Sequence, residues 1–295
     1  MQINGGRGVR SPICWVGSKS RMLKKLLPLI PPHRIYVEPF GGGASMLLAR
    51  SPSAVEVYND LNSGLVNLFR VLRNKKQFAE FLRLAQLTPY AREEHDLCKR
   101  NCWEAADPVE RAHAFFVVAR MSFGGIFDNG WGYAVNASNR GMASQVSNFL
   151  SAVERLPEVA ERLKRVQVEH TDALKVIDTY DGPETFFFLD PPYVLSTRKN
   201  GGYDHEMSDD AHARLVERLL RIEGKVLLSG YASPLYEELE RRGWWRLNFE
   251  AVCHAAGRTR KTGILGEGAG RRMQPRVETV WFNYSTGGGE LALEP

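Results

Sequence analysis

An apolar segment that ends in an acid, two prolines and an aromatic residue is the stretch best suited to chemistry. Residues 186–193 read Phe-Phe-Phe-Leu-Asp-Pro-Pro-Tyr, which predicts a buried strand with Asp190 at its carboxyl end, where open α/β sheets bind ligands. Asp190 and the carbonyl of Pro191 could accept both N–H bonds of a planar amine, while Pro192 helps to fix the backbone. The amine would then attack a sulfonium methyl group, and Tyr193 would stack on a base rotated out of a duplex. The alternative is a strand that ends in an ordinary proline turn.

A second segment has the pattern of a strand, a glycine turn and the start of a helix. Residues 36–45 read Tyr-Val-Glu-Pro-Phe-Gly-Gly-Gly-Ala-Ser, and backbone without side chains lets a cofactor approach closely. Asp60 ends the next predicted strand, where its carboxylate could accept hydrogen bonds from ribose hydroxyls. This geometry serves a nicotinamide cofactor and S-adenosyl-L-methionine equally, and the acid-proline-proline-aromatic motif favours the methyl donor. From this segment we assign Glu38, Pro39, Phe40, Gly41 and Gly43 to the cofactor site.

The distribution of apolar residues predicts an α/β fold with a doubly wound, mostly parallel sheet. Between residues 74 and 165 the strand pattern is absent and residues 108–120 and 146–166 have a helical pattern, which indicates a helical insertion. The predicted divisions are a cofactor-binding part at 1–73, the insertion at 74–165, the remainder of the catalytic domain at 166–285 and a disordered tail at 286–295. Strands are expected at 35–37, 55–58, 166–169, 185–189 and 226–229, with an antiparallel pair at 245–253 and 277–284.

Positive charge is concentrated in one glycine-rich segment. The chain of 295 residues has a formal net charge of +5, and residues 257–276 account for that excess because they hold six basic residues and one acid. A polyanionic partner is the functional interpretation, and a solvated loop is the alternative. The basic residues are Arg258, Arg260, Lys261, Arg271, Arg272 and Arg276.

Composition also excludes several classes of protein. No run of 18 or more apolar residues occurs, so no transmembrane helix is expected, and four irregularly spaced cysteines do not make a disulfide framework. We therefore expect a cytoplasmic protein. His95, Cys98 and Cys102 have a loosely metal-like spacing, but too few further ligands lie nearby, and no metal is expected.

Together these motifs resemble the Dam-like family of DNA adenine-N6 methyltransferases, including phage and restriction-modification relatives. The resemblance covers nearly the whole chain and includes an early element at residues 12–19, Pro-Ile-Cys-Trp-Val-Gly-Ser-Lys. It implies a Rossmann-like methyltransferase fold, S-adenosyl-L-methionine as the cofactor and methylation of a flipped adenine in double-stranded DNA. By this resemblance Trp15 and Lys19 lie near the methionine part of the cofactor, Asp60 binds the ribose and Asp190 lies between cofactor and target amine. Asp172, followed by Ala173, matches the acid near the cofactor adenine.

The resemblance further implies that the helical insertion recognises the target sequence. Residues 119–125 and 129–133 resemble the family's link between the recognition and catalytic parts. Their amino-acid sequence differs from that of the best-known members, so the DNA sequence that the enzyme recognises stays open. Arg120, Asn136 and Arg140 are candidate DNA contacts. An RNA adenine methyltransferase and a non-catalytic DNA-binding protein stay open as alternatives, and so does the choice between monomer and homodimer.

Overall fold

The structure is a computed structural model that describes residues 8–195, 206–252 and 275–286. Seven strands form one sheet in the order β5-β2-β1-β6-β7-β9-β8, and β3 pairs with β4 in a separate hairpin. The strands are β1 (Ile35–Glu38), β2 (Val55–Asn59), β3 (Ser138–Asn139), β4 (Met142–Ala143), β5 (Gln167–Glu169), β6 (Thr185–Leu189), β7 (Lys225–Gly230), β8 (Trp245–Val252) and β9 (Pro275–Phe282).

Ten α-helices occur within the described residues. They are α1 (Leu23–Leu26), α2 (Ser45–Ala49), α3 (Ser63–Arg73), α4 (Lys75–Leu87), α5 (Arg92–Glu104), α6 (Pro108–Met121), α7 (Ser144–Leu163), α8 (Ala173–Tyr180), α9 (Asp209–Leu219) and α10 (Glu237–Arg241). The short α1 is followed by a 3-10 turn at Leu27–Leu29. This turn contains Pro28, a residue without an N–H for the helical ladder. No helix among the described residues combines the length and apolar composition that a membrane span requires.

The sheet confirms the doubly wound, mostly parallel prediction. Strands β5, β2, β1, β6 and β7 run parallel, and β9 pairs antiparallel with both β7 and β8. The run of phenylalanines in β6 is explained by burial on both faces, as parallel strands require. Phe186 and Phe188 pack into one apolar cluster with α3, α6 and α7, while Phe187 and Leu189 pack into the other with α8 and α9.

A topological switch point lies between β1 and β6. From β1 the chain continues to β2 on one side, and from β6 it continues to β7 on the other. Crevices that bind ligands form at such points, outside the carboxyl ends of the strands. Glu38 ends β1 and Asp190 follows β6 directly, so the two sequence motifs meet at the same edge of the sheet.

The insertion consists of α4 to α7 and one feature that its helical pattern did not indicate. Strands β3 and β4 form a hairpin whose turn residues, Arg140 and Gly141, have φ of 56° and 75°, as two-residue hairpin turns require. The apolar cluster that includes Phe186 of the sheet also includes Phe115 and Phe149 of α6 and α7. The insertion therefore shares a core with the sheet, and the boundaries at residues 74 and 165 stay predictions.

Candidate active site

A cavity of about 350 Å³ opens at the switch point. Its walls come from the segment before α1, the glycine turn after β1 with the start of α2, the ends of β2 and β6, the start of α8, and α9 with the residues just before it. We call it the strand-end cavity. All residues that the sequence analysis assigned to a cofactor line it, namely Trp15, Lys19, Glu38, Pro39, Phe40, Gly41, Gly43, Asp60, Asp172, Ala173 and Asp190.

The glycine turn is shaped by Tyr58 of β2 and by Asp60. A Cβ on Gly41 would lie 2.1 Å from ring carbon Cε2 of Tyr58, so only glycine fits there. The Tyr58 hydroxyl donates to the carbonyl of Gly42 at 2.8 Å, and the amide of Gly42 donates to Oδ2 of Asp60 at 2.7 Å. Gly42 itself has a φ of 48°, which favours glycine. The other oxygen of Asp60, Oδ1, accepts from the amide of Asn62 at 2.8 Å.

Asn59, which the sequence analysis did not select, joins three loops under the cavity. Its fully buried Nδ2 donates to the carbonyls of Pro39 at 2.9 Å and Thr171 at 3.0 Å, and its Oδ1 accepts from the Thr171 amide at 2.9 Å. Asp172 follows directly and caps α8 by accepting from the amide of Leu174 at 2.9 Å. A polar residue at the end of a buried apolar strand is the sequence feature that could have identified Asn59.

Asp190 is held by a buried lysine. Lys19, which is 5% exposed, places its Nζ 2.7 Å from Oδ1 of Asp190 and donates to the carbonyl of Gly17 at 3.1 Å. Burial raises the pKa of Asp190 to about 6, while Lys19 opposes the shift and Glu278 adds to it. At neutral pH the carboxylate is therefore mainly ionised and can accept hydrogen bonds from an amine.

Tyr193 is engaged through its hydroxyl. The hydroxyl accepts from Nζ of Lys19 at 2.7 Å and donates to Oε2 of Glu278 at 2.5 Å. Its ring meets the edge of Tyr231, with centroids 4.4 Å apart, and the residue is 6% exposed. Little ring surface is thus open in this structure, and the stacking of Tyr193 on a base stays a prediction.

The two prolines and Glu278 complete this side of the site. Pro191 is buried, and Pro192 lines the strand-end cavity. Glu278 lies on β9, 85 residues from Tyr193 in the chain. No local pattern in the sequence pointed to it, because the contact exists only when β9 is placed beside β7.

Glu38 is a buried acid whose side-chain hydrogen bond comes from a tyrosine hydroxyl. It is 2% exposed, and its Oε1 accepts from the Tyr36 hydroxyl at 2.6 Å. Burial raises the pKa of Glu38 to about 8, against the lowering effect of the Tyr36 hydrogen bond. The side chain is therefore mainly neutral at pH 7.

The candidate DNA contacts are distributed over the insertion. The guanidinium of Arg120 donates hydrogen bonds to Sγ of Cys14 at 3.0 Å and to the carbonyl of Asn148 at 2.6 Å. Asn136 is exposed, and Arg140 is exposed at the β3–β4 turn, where it pairs with Glu154 at 2.9 Å. The side chains of the predicted contacts Arg258, Arg260, Lys261, Arg271, Arg272 and Arg276 lie outside the described residues, and so do residues 287–295 of the predicted tail.

The part of the chain that the structure describes contains no group of three or more metal-ligating side chains. His95 instead contacts Oγ of Ser122 at 3.0 Å, and burial raises the pKa of the Cys98 thiol to about 12. The polar groups of the strand-end cavity include carboxylates, serine hydroxyls, backbone amides, the Lys19 ammonium and the Arg214 guanidinium. This set suits a ligand that carries hydroxyl and amine groups on an aromatic or apolar frame.

Comparison with known proteins identifies a family of enzymes. The family model of D12 class N6 adenine-specific DNA methyltransferases matches residues 15–244. The chain is similar to the type II methyltransferase M1.LlaDCHI of Lactococcus lactis subsp. cremoris, with 28% identity over 76% of this chain and 82% of the relative. It is similar to the type II methyltransferase M.CviBI of Paramecium bursaria Chlorella virus NC1A, with 26% identity over 76% of this chain and 84% of the relative. The DNA N-6-adenine-methyltransferase of Escherichia phage P1 is 25% identical over 81% of this chain and 32% of its own length.

Proposed function

The chain belongs to the D12 class of N6 adenine-specific DNA methyltransferases, and we propose that the strand-end cavity binds S-adenosyl-L-methionine while Asp190 holds the target amine. The observation that carries this assignment is the position of Asp190, which lines the cavity at the carboxyl end of β6 and is fixed there by Lys19 at 2.7 Å. In this position the Asp190 carboxylate would contact both the bound cofactor and the target base.

The residues around the cavity fit this cofactor. Gly42 and Gly43 leave room beside Trp15, since a Cβ on either glycine would lie 3.1 or 3.2 Å from Trp15 atoms. Trp15 and Lys19 would contact the methionine part, Asp60 the ribose hydroxyls and Asp172 with Ala173 the adenine edge. When bound, the cofactor supplies an electrophilic methyl group.

The chain's own residues prepare the amine for attack. The lone pair of an adenine amine is delocalised into the ring, so the nitrogen must move toward tetrahedral geometry before it reacts. Ionised Asp190 accepts one N–H bond and the carbonyl of Pro191 accepts the other, which withdraws the hydrogens from the ring plane. Pro191 and Pro192 keep that carbonyl in place because their φ angles are fixed.

Double-stranded DNA is the substrate, and its target adenine is flipped toward Asp190. We assign phosphate contacts to Arg258, Arg260, Lys261, Arg271 and Arg272, whose charge is the chain's main positive excess. Arg120, Asn136 and Arg140 of the insertion would contact phosphates or base edges. Action on DNA, with no membrane-spanning helix among the described residues, is consistent with a cytoplasmic location.

The test is expression in a host that lacks DNA methylation, followed by sequencing that detects N6-methyladenine. We expect one sequence motif to be modified by the wild-type chain and none by Asp190→Ala. The Asp190→Ala protein should still bind S-adenosyl-L-methionine in a titration. Unmodified DNA from cells that contain the folded wild-type protein would overturn the proposal.

A further inference from the structure

Four side chains form a continuous row of hydrogen bonds from Asp190 to Glu278. Lys19 donates to Asp190 at 2.7 Å and to the Tyr193 oxygen at 2.7 Å, and Tyr193 donates to Glu278 at 2.5 Å. With the contact to Gly17 at 3.1 Å, all three N–H bonds of the Lys19 ammonium have acceptors. From Lys19 onward the hydrogen bonds run toward Glu278, while Lys19 also donates to Asp190.

Methylation of an amine produces a proton that must leave the site. As the nitrogen lone pair forms the N–C bond and the C–S electrons stay on sulfur, the nitrogen becomes positively charged and then loses one N–H proton. Asp190 is the nearest base, and its 17% exposed side chain lines the strand-end cavity, which cofactor and base would fill. A proton that stays there must be removed before the next turnover. Glu278 lies at the other end of the row and is partly exposed, so it can exchange protons with water.

We propose that Glu278 is the final acceptor of the proton that leaves the target amine, delivered through Lys19 and Tyr193. This inference rests on the proposed function. Asp190 takes the proton from nitrogen. Lys19 then gives a proton to the Tyr193 oxygen while Tyr193 gives its own to Glu278, and the Lys19 amine rotates about its Cε–Nζ bond and takes the proton from Asp190. Each O–H or N–H bond that breaks is replaced by one that forms, and in the net transfer the methylated nitrogen loses a proton and Glu278 gains one.

The surrounding charges favour a coupled transfer. The pKa of Tyr193 is raised well above its usual value by burial and by the neighbouring Asp190 and Glu278, so a free tyrosinate is disfavoured and its two proton transfers must occur together. The titratable and charged groups of the described residues that interact with Asp190 are Lys19, Glu278, Glu38, Tyr193 and Tyr236. Glu278 in turn acts on Asp190 and Tyr193.

Glu278→Gln separates this role from a purely structural one. The glutamine keeps the shape and its amide oxygen can still accept from Tyr193, but it cannot take up a proton. With unmethylated duplex and S-adenosyl-L-methionine both saturating and in excess over enzyme, we expect the steady-state turnover rate to fall on the order of 10²-fold, as for loss of a general base. The single-turnover rate, for which Asp190 is sufficient, should stay near that of the wild type. Affinity for S-adenosyl-L-methionine, measured by calorimetry, should be unchanged.

A proton inventory in mixtures of H₂O and D₂O gives the decisive reading. Because several protons move together, the wild-type rate should depend on the D₂O fraction along a curve. The rate of Glu278→Gln should depend on the D₂O fraction linearly. Tyr193→Phe interrupts the same row, so it should lose a similar factor, and the double variant should lose no more than either single variant. Glu250→Gln is the matched control, since Glu250 is exposed on the neighbouring strand β8, and it should behave as wild type.

The outcomes separate the two proposals. Wild-type protein that transfers no methyl group overturns the proposed function. Active wild type with an unaltered Glu278→Gln rate and inventory overturns the relay alone. Losses that add up in the double variant also overturn it, because they show independent structural effects. Retention of the curved inventory by Glu278→Asp, which keeps a carboxylate, would support it.

Discussion

The ring of Tyr58 lies so close to Gly41 that a Cβ on Gly41 would meet ring carbon Cε2 at 2.1 Å. The same tyrosine donates its hydroxyl to the carbonyl of Gly42 at 2.8 Å. One side chain of β2 therefore both excludes side-chain atoms from the glycine turn and holds its backbone. The Tyr58 ring covers one side of the turn, and the other side faces the strand-end cavity.

Gly41→Ala should consequently disrupt the turn. The added methyl group must displace a fully buried ring, and overpacking of this kind costs about 1–3 kcal/mol. We expect a lower free energy of unfolding in urea and weaker binding of S-adenosyl-L-methionine. Gly182→Ala is the control, because nothing lies within 4 Å of a Cβ there and its φ is not positive. Equal stability and affinity of the two variants would contradict the role of Tyr58.

Asp60→Asn tests how the end of β2 supports cofactor binding. The aspartate accepts from the amides of Gly42 at 2.7 Å and Asn62 at 2.8 Å, and an asparagine would direct an NH₂ group at one of these amides. Loss of a hydrogen bond to a charged group is worth about 1.5–3 kcal/mol, so the dissociation constant for S-adenosyl-L-methionine should rise roughly 10- to 100-fold. At saturating cofactor, methyl transfer should recover. Asp96→Asn, which changes an exposed acid of α5, should leave the affinity unchanged.

Much of the fold and the cavity could be predicted from sequence because the informative residues stand at strand ends. The buried β6 needs an unbroken apolar run, and parallel strands bring Glu38 and Asp190 to one edge of the sheet. The motifs are local, and the topology that joins them follows from the alternation of strands and helices. For that reason the residues assigned to the cofactor line a single cavity.

The remainder depends on contacts that no local pattern contains. Asn59 and Thr171 are 112 residues apart, and Tyr193 and Glu278 are 85 apart. Their pairing requires the finished sheet, including an antiparallel β9 beside β7. Strands of two residues, such as β3, are too short to show an alternating pattern, and the hairpin turn uses a non-glycine residue, Arg140, at positive φ.

The basic segment can be tested by salt dependence of DNA binding. If Arg258, Arg260 and Arg271 neutralise phosphates, changing each to glutamine should reduce the slope of log affinity against log salt by about 0.9. The triple variant should therefore lose about three such increments in a fluorescence-anisotropy titration of a duplex. Arg83→Gln on exposed α4 is the control, since Arg83 pairs with Glu80 at 2.7 Å. A triple variant with the wild-type slope would show that these arginines do not contact DNA.

Glu38→Gln should alter how stability depends on pH. The pKa of Glu38 is raised from 4.5 to about 8, so the folded protein holds a proton that the unfolded chain releases. This contribution to stability is complete below pH 4.5 and is lost as pH rises toward about 8. A neutral glutamine has no such loss. We expect its stability relative to wild type, from urea unfolding, to increase between pH 5 and pH 8, whereas Glu104→Gln on the exposed surface should show no trend.

The last prediction concerns the pH dependence of catalysis and follows from Asp190. Only the ionised carboxylate can accept both a hydrogen bond and a proton from the amine, and its pKa is raised from 3.8 to about 6 by burial. The value of kcat/KM reports groups of the free enzyme, so it should be level above pH 6 and fall about tenfold per pH unit below it.

Protonation of Asp190 and Glu38 does not favour unfolding, so it cannot lower kcat/KM by unfolding the protein. Raised pKa values at Asp190 and Glu38 make the folded state the tighter binder of protons, so lowering the pH favours folding at both positions. Circular dichroism at each pH supplies the check. If kcat/KM stays constant from pH 7 down to pH 5 while the protein remains folded, then proton acceptance by Asp190 does not limit the reaction. If instead the profile falls with a slope of one and Asp190→Asn is inactive at every pH, the carboxylate is the base that the geometry indicates.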